Sequence, residues 1–262
     1  MKIIMIFTLI FASIICKSQK SFSTEYEARY TLDYKLIKSE KESRLTTFIL
    51  LMNNKESYFK SMNVYVGDSL MYYKKIKENE NSLNNLKYTS EYPENIGTTL
   101  GKIYVTSPIS EGFAAYEESN NINWKLVNEF KTIGNAKCQK AITTKYGRSW
   151  IAYFNPKIPL NFGPYKFNKL PGLIVELYDD KDEFHYKLYK FKKRKGLCSF
   201  ANSYKLKKPV KKEKVYMWRK NMILDMSAYK SIVKEDPETL RESERKLRKL
   251  YDDYNTIELS PN

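Results

Sequence analysis

Seven glycines and prolines fall within the forty residues from Cys138 to Leu177, and they constrain this chain more than any other feature. Gly147, Pro156, Pro159, Gly163, Pro164, Pro171 and Gly172 interrupt runs that are apolar and β-branched. Glycine reaches φ > 0 freely, while proline fixes φ and gives up an N–H, so punctuation of this density belongs to strands and tight turns. The stretch therefore reads as two strands, a rigid proline-rich crossing, and a third strand beginning at Leu173.

The same stretch carries a family resemblance. Lys169, Leu170, Pro171, Gly172, Leu173 and Ile174 align with a hexapeptide. Around it fall Cys138 with Lys140 and Ala141, Gly147 and Arg148, the run Trp150 to Phe154, the pair Ile158 and Pro159, Gly163 and Pro164, and Phe167. These positions, with the later Ile257-Glu258-Leu259, resemble the GLPGLI family of small exported proteins of Gram-negative bacteria. That resemblance implies export and brings no assigned activity, so these residues are read as a structural motif and none as catalytic. A lysine stands where the family has its first glycine. If that glycine serves a backbone with φ > 0, Lys169 bears a strain of about 1–3 kcal/mol; otherwise its conformation is ordinary.

The start of the chain has the form of an address. Lys2 precedes the apolar run Ile3 to Ile15, then Cys16-Lys17-Ser18, which predicts a signal peptide cleaved between Ser18 and Gln19 and a periplasmic or secreted product. The apolar run is too short for an ordinary spanning helix, and bulky Ile15 argues against lipid attachment at Cys16. Loss of Lys2 and Lys17 reduces the net charge from +16 to +14, and residues 187–220 carry fourteen Lys/Arg against the single acid Glu213. Within that run Lys192, Lys193, Arg194, Lys195, Lys207, Lys208, Lys211 and Lys212 form a candidate anion-binding patch, since clustered positive charge attracts polyanions. In an exported protein the fitting partners are an anionic lipid or glycan, or an outer-membrane or other envelope protein. Nucleic acid does not fit, despite the interleaved Tyr189, Phe191, Tyr204 and Trp218. The alternative is a solvated, lysine-rich strand-and-loop face. Cys138 and Cys198 remain after cleavage, either as a disulfide closing about sixty residues or as two buried thiols.

From Glu25 to Ile37 the parity of Tyr26, Ala28, Tyr30, Leu32, Tyr34 and Leu36 against charged and polar neighbours predicts a half-buried strand. Leu45 to Met52 is apolar on both parities, as for a strand covered on both sides or lining a cavity. Met62 to Ile76 fits one helical face. Residues 77–98, poor in large aliphatics, read as an exposed, mobile connection. Strand character returns at Lys102 to Thr106, and a strand over Trp124 to Phe130 is expected to pair with the one around Cys138. Leu173 to Tyr178 and Glu183 to Phe191 flank the turn Asp179 to Asp182 as a hairpin, with the strand phase slipping at Tyr189 to Phe191. Met222 to Val233 reads as a short helix or irregular cover. Asp236-Pro237-Glu238 starts a helix near 237–254 whose stripe is Leu240, Leu247, Leu250, Tyr251 and Tyr254.

Together these elements predict one β-rich domain over residues 19–262. Its class is α+β and β-dominated: a curved, half-barrel-like antiparallel sheet with a few covering helices. The alternating first strand, doubly apolar second strand and covering helix resemble half-barrel periplasmic carriers in architecture. One histidine leaves no credible zinc site and no triad unless His185 is in it; the Asp179 to Asp182 turn lacks the glycine and bidentate Glu of a calcium loop; and no glycine-rich phosphate loop occurs. No cofactor is expected. Glu176, alone in an apolar strand, is the one candidate for a perturbed carboxylate, facing solvent or pairing with a lysine or Arg148. The expected function is a non-enzymatic binding or accessory module of the envelope. The alternatives are a carrier of a lipid or other apolar ligand, with Phe48, Leu50, Met52 and tyrosines lining a concave face, and a hydrolase built on Glu176 or His185.

Overall fold

The computed structural model describes residues 22–74, 86–110, 112–198, 208–227, 230 and 236–259. Eleven strands run β1 (Phe22–Tyr34), β2 (Arg44–Met52), β3 (Glu56–Ser61), β4 (Asn95–Thr99), β5 (Lys102–Ile109), β6 (Gly112–Ser119), β7 (Lys125–Ile133), β8 (Ala136–Lys145), β9 (Arg148–Asn155), β10 (Leu173–Asp179) and β11 (Phe184–Cys198). Helices α1 (Met62–Lys74), α2 (Lys212–Leu224) and α3 (Pro237–Asp252) complete the described elements, with a short 3-10 turn at Leu86–Tyr88.

All eleven strands belong to one antiparallel sheet in the order β6-β5-β4-β3-β2-β1-β11-β10-β9-β8-β7. The two edge strands, β6 and β7, are consecutive in the chain and are joined by only residues 120–124. Five extended residues span roughly 20 Å at most, so the sheet must curl until its edges nearly meet at that end. Asn120 Nδ2 and Trp124 Nε1 fasten the junction to Asn168 at 2.9 and 2.8 Å. The result is an open, strongly curved half-barrel.

The inner face holds the main core. Ala28, Tyr30 and Leu32 of β1, Phe48, Leu50 and Met52 of β2, and Trp150, Ala152 and Phe154 of β9 are buried there with Leu177 and Tyr186. The proline-rich crossing between β9 and β10 fills the interior with Phe162, Phe167 and Leu170. Both parities of β2 are covered, because Ile49 and Leu51 form a second cluster with Phe22, Tyr58, Tyr65 and Cys198 on the opposite face, where α1 packs. Phe48, Leu50 and Met52 are thus packing residues, and the expectation that they line a ligand cavity is corrected.

The punctuated stretch folds as β8, β9, the crossing and β10. Tyr146 (φ 58) and Gly147 (φ 78) make the two-residue turn between β8 and β9, the positive-φ pair that matches strand twist. A Cβ on Gly163 would lie 2.6 Å from Ile174, and one on Gly172 would lie 2.3 Å from the Asn155 carbonyl oxygen. These two glycines are close-approach positions that seat the crossing against β9 and β10. Lys169 adopts φ 69, the left-handed conformation, so of the two readings of that position the strained one holds.

Other expectations are revised. Residues 95–98 are interior strand: Asn95 is buried between Tyr58 Oη and Thr106 Oγ1, which satisfies its amide at 3.0 Å on either side. The same segment, residues 77–98, is expected to be mobile, and residues 77–85 of it lie outside the described residues. The phase slip at Tyr189 is a bulge, since Arg29 and Tyr30 pair with Lys190 and Leu188, and β11 then continues to Cys198. Helix α2 occupies part of the basic run read as strand and loop. Both cysteines are buried thiols, so no disulfide joins them.

Candidate functional site

A cavity of about 560 Å³ opens between the inner face near its β5–β6 edge, helix α2, and residues 251–259. Six tyrosines line it: Tyr92, Tyr116, Tyr165, Tyr216, Tyr251 and Tyr254, joined by Leu36, Val215, Ile223, Ile257 and Leu259. Val215, Arg219 and Ile223 recur at the i, i+4, i+8 spacing of one helical face, which explains how α2 presents them together.

One wall is a buried ionic cluster. Lys166, in the crossing, lies 2.6 Å from Glu258 Oε1 and 3.1 Å from Glu118 Oε1, while Lys212 of α2 lies 2.7 Å from Glu258 Oε2 and 2.8 Å from Glu118 Oε2. Two lysines and two glutamates therefore alternate in a ring. Tyr146 donates to Glu118 at 2.6 Å, Tyr165 and Tyr216 donate to Glu258 at 2.5 and 2.8 Å, and Lys166 donates to Tyr116 Oη at 2.9 Å. Burial alone would neutralise Glu258, but the two ammonium groups overcome it and hold the carboxyl down at about 2. Burial likewise works against the Lys166 charge, and Glu258 and Glu118 reverse it, so that lysine stays protonated far above its ordinary range. Burial pushes the phenols of Tyr116, Tyr146, Tyr165 and Tyr216 up. Beside the ring, Arg219 Nη1 is bonded to Glu94.

The sequence motif assembles a different place. Arg148 Nη1 lies 2.8 Å from Asp179 and 2.7 Å from Glu183, and its Nη2 donates to Asn255 Oδ1 at 2.6 Å and to the Thr256 carbonyl at 2.9 Å. Asp179 is fully buried and also accepts from the N–H groups of Glu183 and Phe184 at 2.8 Å each. The acidic turn is therefore spent on an arginine and on its own backbone. Among the described residues no group of three or more His, Cys, Asp or Glu side chains is placed to hold a metal ion.

Glu176 turns away from the core, where Lys131 of β7 approaches it at 2.7 Å and His185 at 3.0 Å; Arg148 is not its partner. The hydrogen bond from His185 leads, against burial and with help from Lys131, in holding the Glu176 carboxyl at about 2. His185 Nδ1 lies 2.8 Å from Asp182. Burial raises the Cys138 thiol.

The candidate anion patch is divided. Arg194 is bonded to Glu27 at 2.7 Å and to Tyr65 Oη at 2.9 Å on the α1 face, and Lys212 belongs to the ring on the inner side. Lys192, Lys193 and Lys195 are exposed on β11, while Lys208 and Lys211 are exposed beside β6, where Val210 N–H bonds Ala115 O at 2.8 Å. Five strands of the sheet order separate the two groups, and Lys207 lies outside the described residues. Lys166, Glu118 and the cavity tyrosines escaped the sequence reading. Their only local signal is Lys166 itself, a charge set between Tyr165 and Phe167 in a proline-rich crossing.

No family model and no curated protein matches this chain. Among solved structures it is similar to PNGF-II in two crystal forms. The TM-scores are 0.54 and 0.50 at 12% identity, covering 77% and 68% of this chain. The chain spans only 34% and 30% of the PNGF-II chain, so the likeness is to a part of that protein and concerns fold alone. A LolA-superfamily protein from Nitrosomonas europaea matches at TM-score 0.29 and 9% identity, over 66% of this chain and 87% of that one, a level from which nothing about this chain follows. Among the described residues no helix is long and apolar enough to cross a membrane.

Proposed function

We propose that this protein is an exported, non-enzymatic binding protein of the cell envelope, of the GLPGLI type, that holds a small apolar or amphipathic ligand in the cavity beneath α2. The observation that carries this reading is the cavity itself. Its 560 Å³ lies within the usual range for ligand sites, and eleven of its twenty lining residues are tyrosine or aliphatic, with charged and polar residues making up the rest. Support for a binding role over a catalytic one comes from the charges at the wall. The Glu258 carboxyl is clamped at about 2 and Lys166 is held protonated, so neither is poised to exchange a proton near neutral pH. Export rests on the leader-like residues 1–18, and intact mass of the periplasmic or secreted protein is expected to place its first residue at Gln19. The exposed Lys192, Lys193 and Lys195 suit contact with an anionic lipid or glycan surface, separate from the cavity.

Native mass spectrometry of protein purified from its own envelope, combined with binding of the fluorescent probe N-phenyl-1-naphthylamine, tests the reading. Retained small-molecule mass, and probe binding abolished by Ile223→Trp at the cavity mouth, are the expected results. Protein that is empty and takes up no probe would overturn it.

A further inference from the structure

The chain shows, with its own side chains, what kind of head group the cavity wall accepts. The Lys166 side chain has no exposed surface; its ammonium is held between Glu258 and Glu118, 5.0, 5.1 and 5.4 Å from the ring centroids of Tyr116, Tyr146 and Tyr165. Lys212 repeats the arrangement with the same two glutamates, 5.8, 5.0 and 5.8 Å from the rings of Tyr116, Tyr146 and Tyr216. Tyrosine faces carry the negative part of the ring quadrupole, so ring faces and carboxylates together replace the water that an ammonium gives up. Tyr116, Tyr165, Tyr216 and Glu258 also line the cavity, and at Tyr251, another lining residue, the Lys220 ammonium lies 5.2 Å from the ring centroid.

The ionic groups at the lining select the same charge. Glu91, Glu94, Glu213, Asp252 and Glu258 line the cavity against the single cation Arg219. Arg219 is matched by Glu94, and Glu258 by Lys166 and Lys212, which leaves Glu91, Glu213 and Asp252 at the exposed rim. Glu91 has Arg44 at 3.7 Å, but Glu40 binds that arginine at 2.8 Å. Among the described residues no ion pair engages the carboxylate of Glu213 or Asp252; Lys38 donates to the Asp252 backbone carbonyl instead, at 2.9 Å. Two of the rim carboxylates share one end of the cavity. Burial raises the Tyr254 phenol and Glu91 adds to it; burial raises the Tyr251 phenol, with Arg219 opposing and Asp252 adding; and Tyr254 N–H bonds Tyr251 O at 3.2 Å. This is the C-terminal end of the sixteen-residue α3, where the last carbonyls present partial negative charge. Resting on the cavity reading above, we infer that the ligand is an organic cation: an ammonium head at the α3 end, among Glu91, Asp252, Tyr251 and Tyr254, with an apolar body against the remaining tyrosines. Lys220, exposed on α2, gives up the Tyr251 ring face to the head.

Three amphiphiles of equal chain length separate the outcomes. Displacement of N-phenyl-1-naphthylamine is measured with dodecyltrimethylammonium, 1-monolauroylglycerol and laurate, each below its critical micelle concentration, on the full mature protein. The ammonium is expected to bind at least about tenfold more tightly than either of the others, and to lose most of that lead in high salt. The overall charge of the chain is strongly positive and draws laurate, so a lead for the ammonium comes from this wall alone. Glu91→Gln and Asp252→Asn, both at exposed positions, should each weaken the ammonium roughly three- to tenfold and leave the glyceride and the probe unchanged. Tyr251→Leu should weaken it about threefold or more, Tyr251→Phe, which keeps a ring face, should not, and Lys220→Gln should tighten it. Glyceride or laurate bound as tightly as the ammonium would overturn the inference. So would carboxyl variants that bind the ammonium normally, or equal losses in the two Tyr251 variants. In those cases the probe still enters, and the cavity reading stands; a protein that takes up no probe loses both.

Discussion

Two buried ionic clusters fasten residues 255–258 to the sheet, and they are built for different ends. Around Arg148 every partner is protein: Asp179, Glu183, Asn255 and the Thr256 carbonyl close on the guanidinium, which also covers the Phe184 ring at 4.7 Å. Around Lys166 and Lys212 the charges are equally matched, but Glu258, Tyr116, Tyr165 and Tyr216 face an open space on their other side. The first cluster fastens the chain, and only its Asn255 and Thr256 reach the cavity lining. The second holds shape and, in doing so, makes one wall of a container. The motif visible in the sequence reaches both, through Arg148 in the first and Glu258 in the second, but the site with room for a ligand sits at the second.

Arg148→Met should separate them most forcefully. It leaves Asp179 charged and buried without its partner, and such losses run to about 3–5 kcal/mol, read as a lower denaturant midpoint at unchanged slope. A loss under about 1 kcal/mol would break the contrast. Glu258→Gln is expected to cost less, about 1.5–3 kcal/mol, because the amide still accepts from one lysine. Unlike Arg148→Met, it should change probe affinity under conditions where the protein is fully folded. Acid is a gentler probe of both clusters. The carboxyls of Glu258, Glu118 and Glu183 are all held below the ordinary value of 4.5, Glu258 at about 2. A carboxyl lowered by folding gives stability that is complete above the unfolded value and lost as pH falls toward the folded one. The urea midpoint should therefore be level above about pH 5 and fall between 4.5 and 2, less steeply in Glu258→Gln. An equal slope in that variant would remove Glu258 from the account. Smallest is Lys169→Gly. Relief of the left-handed backbone is opposed by loss of the Lys169 Nζ bond to Asn120 O and by glycine's unfolded-state entropy, so the midpoint should move by less than about 1 kcal/mol.

The regular elements were legible where local chemistry and tertiary environment agree. The alternation of Tyr30, Leu32 and Tyr34 became the inner face of β1, and the Asp236 side chain caps α3 by accepting from Glu238 and Thr239 N–H at 2.9 and 3.1 Å. Strand β4 was hidden because Asn95 and Thr98 are polar and yet buried, and β6 because Ala114 and Ala115 are too small to mark a face. The site was less legible still. Lys212 reads as one more cation in a basic run, and nothing local says that it is buried while Lys211 is exposed. Its partners Glu118 and Glu258 are 94 and 46 positions away, so only the three-dimensional fold brings the ring together.

Arg148 and Asn255 are 107 residues apart in the chain. Until residues 253–259 have been laid down, the guanidinium and the Lys166 ammonium have no complete set of counter-charges, and sealing them inside would be steeply uphill. Such distant closures are the slow kind. The half-barrel should therefore stay ajar during synthesis and close only once its last residues have arrived.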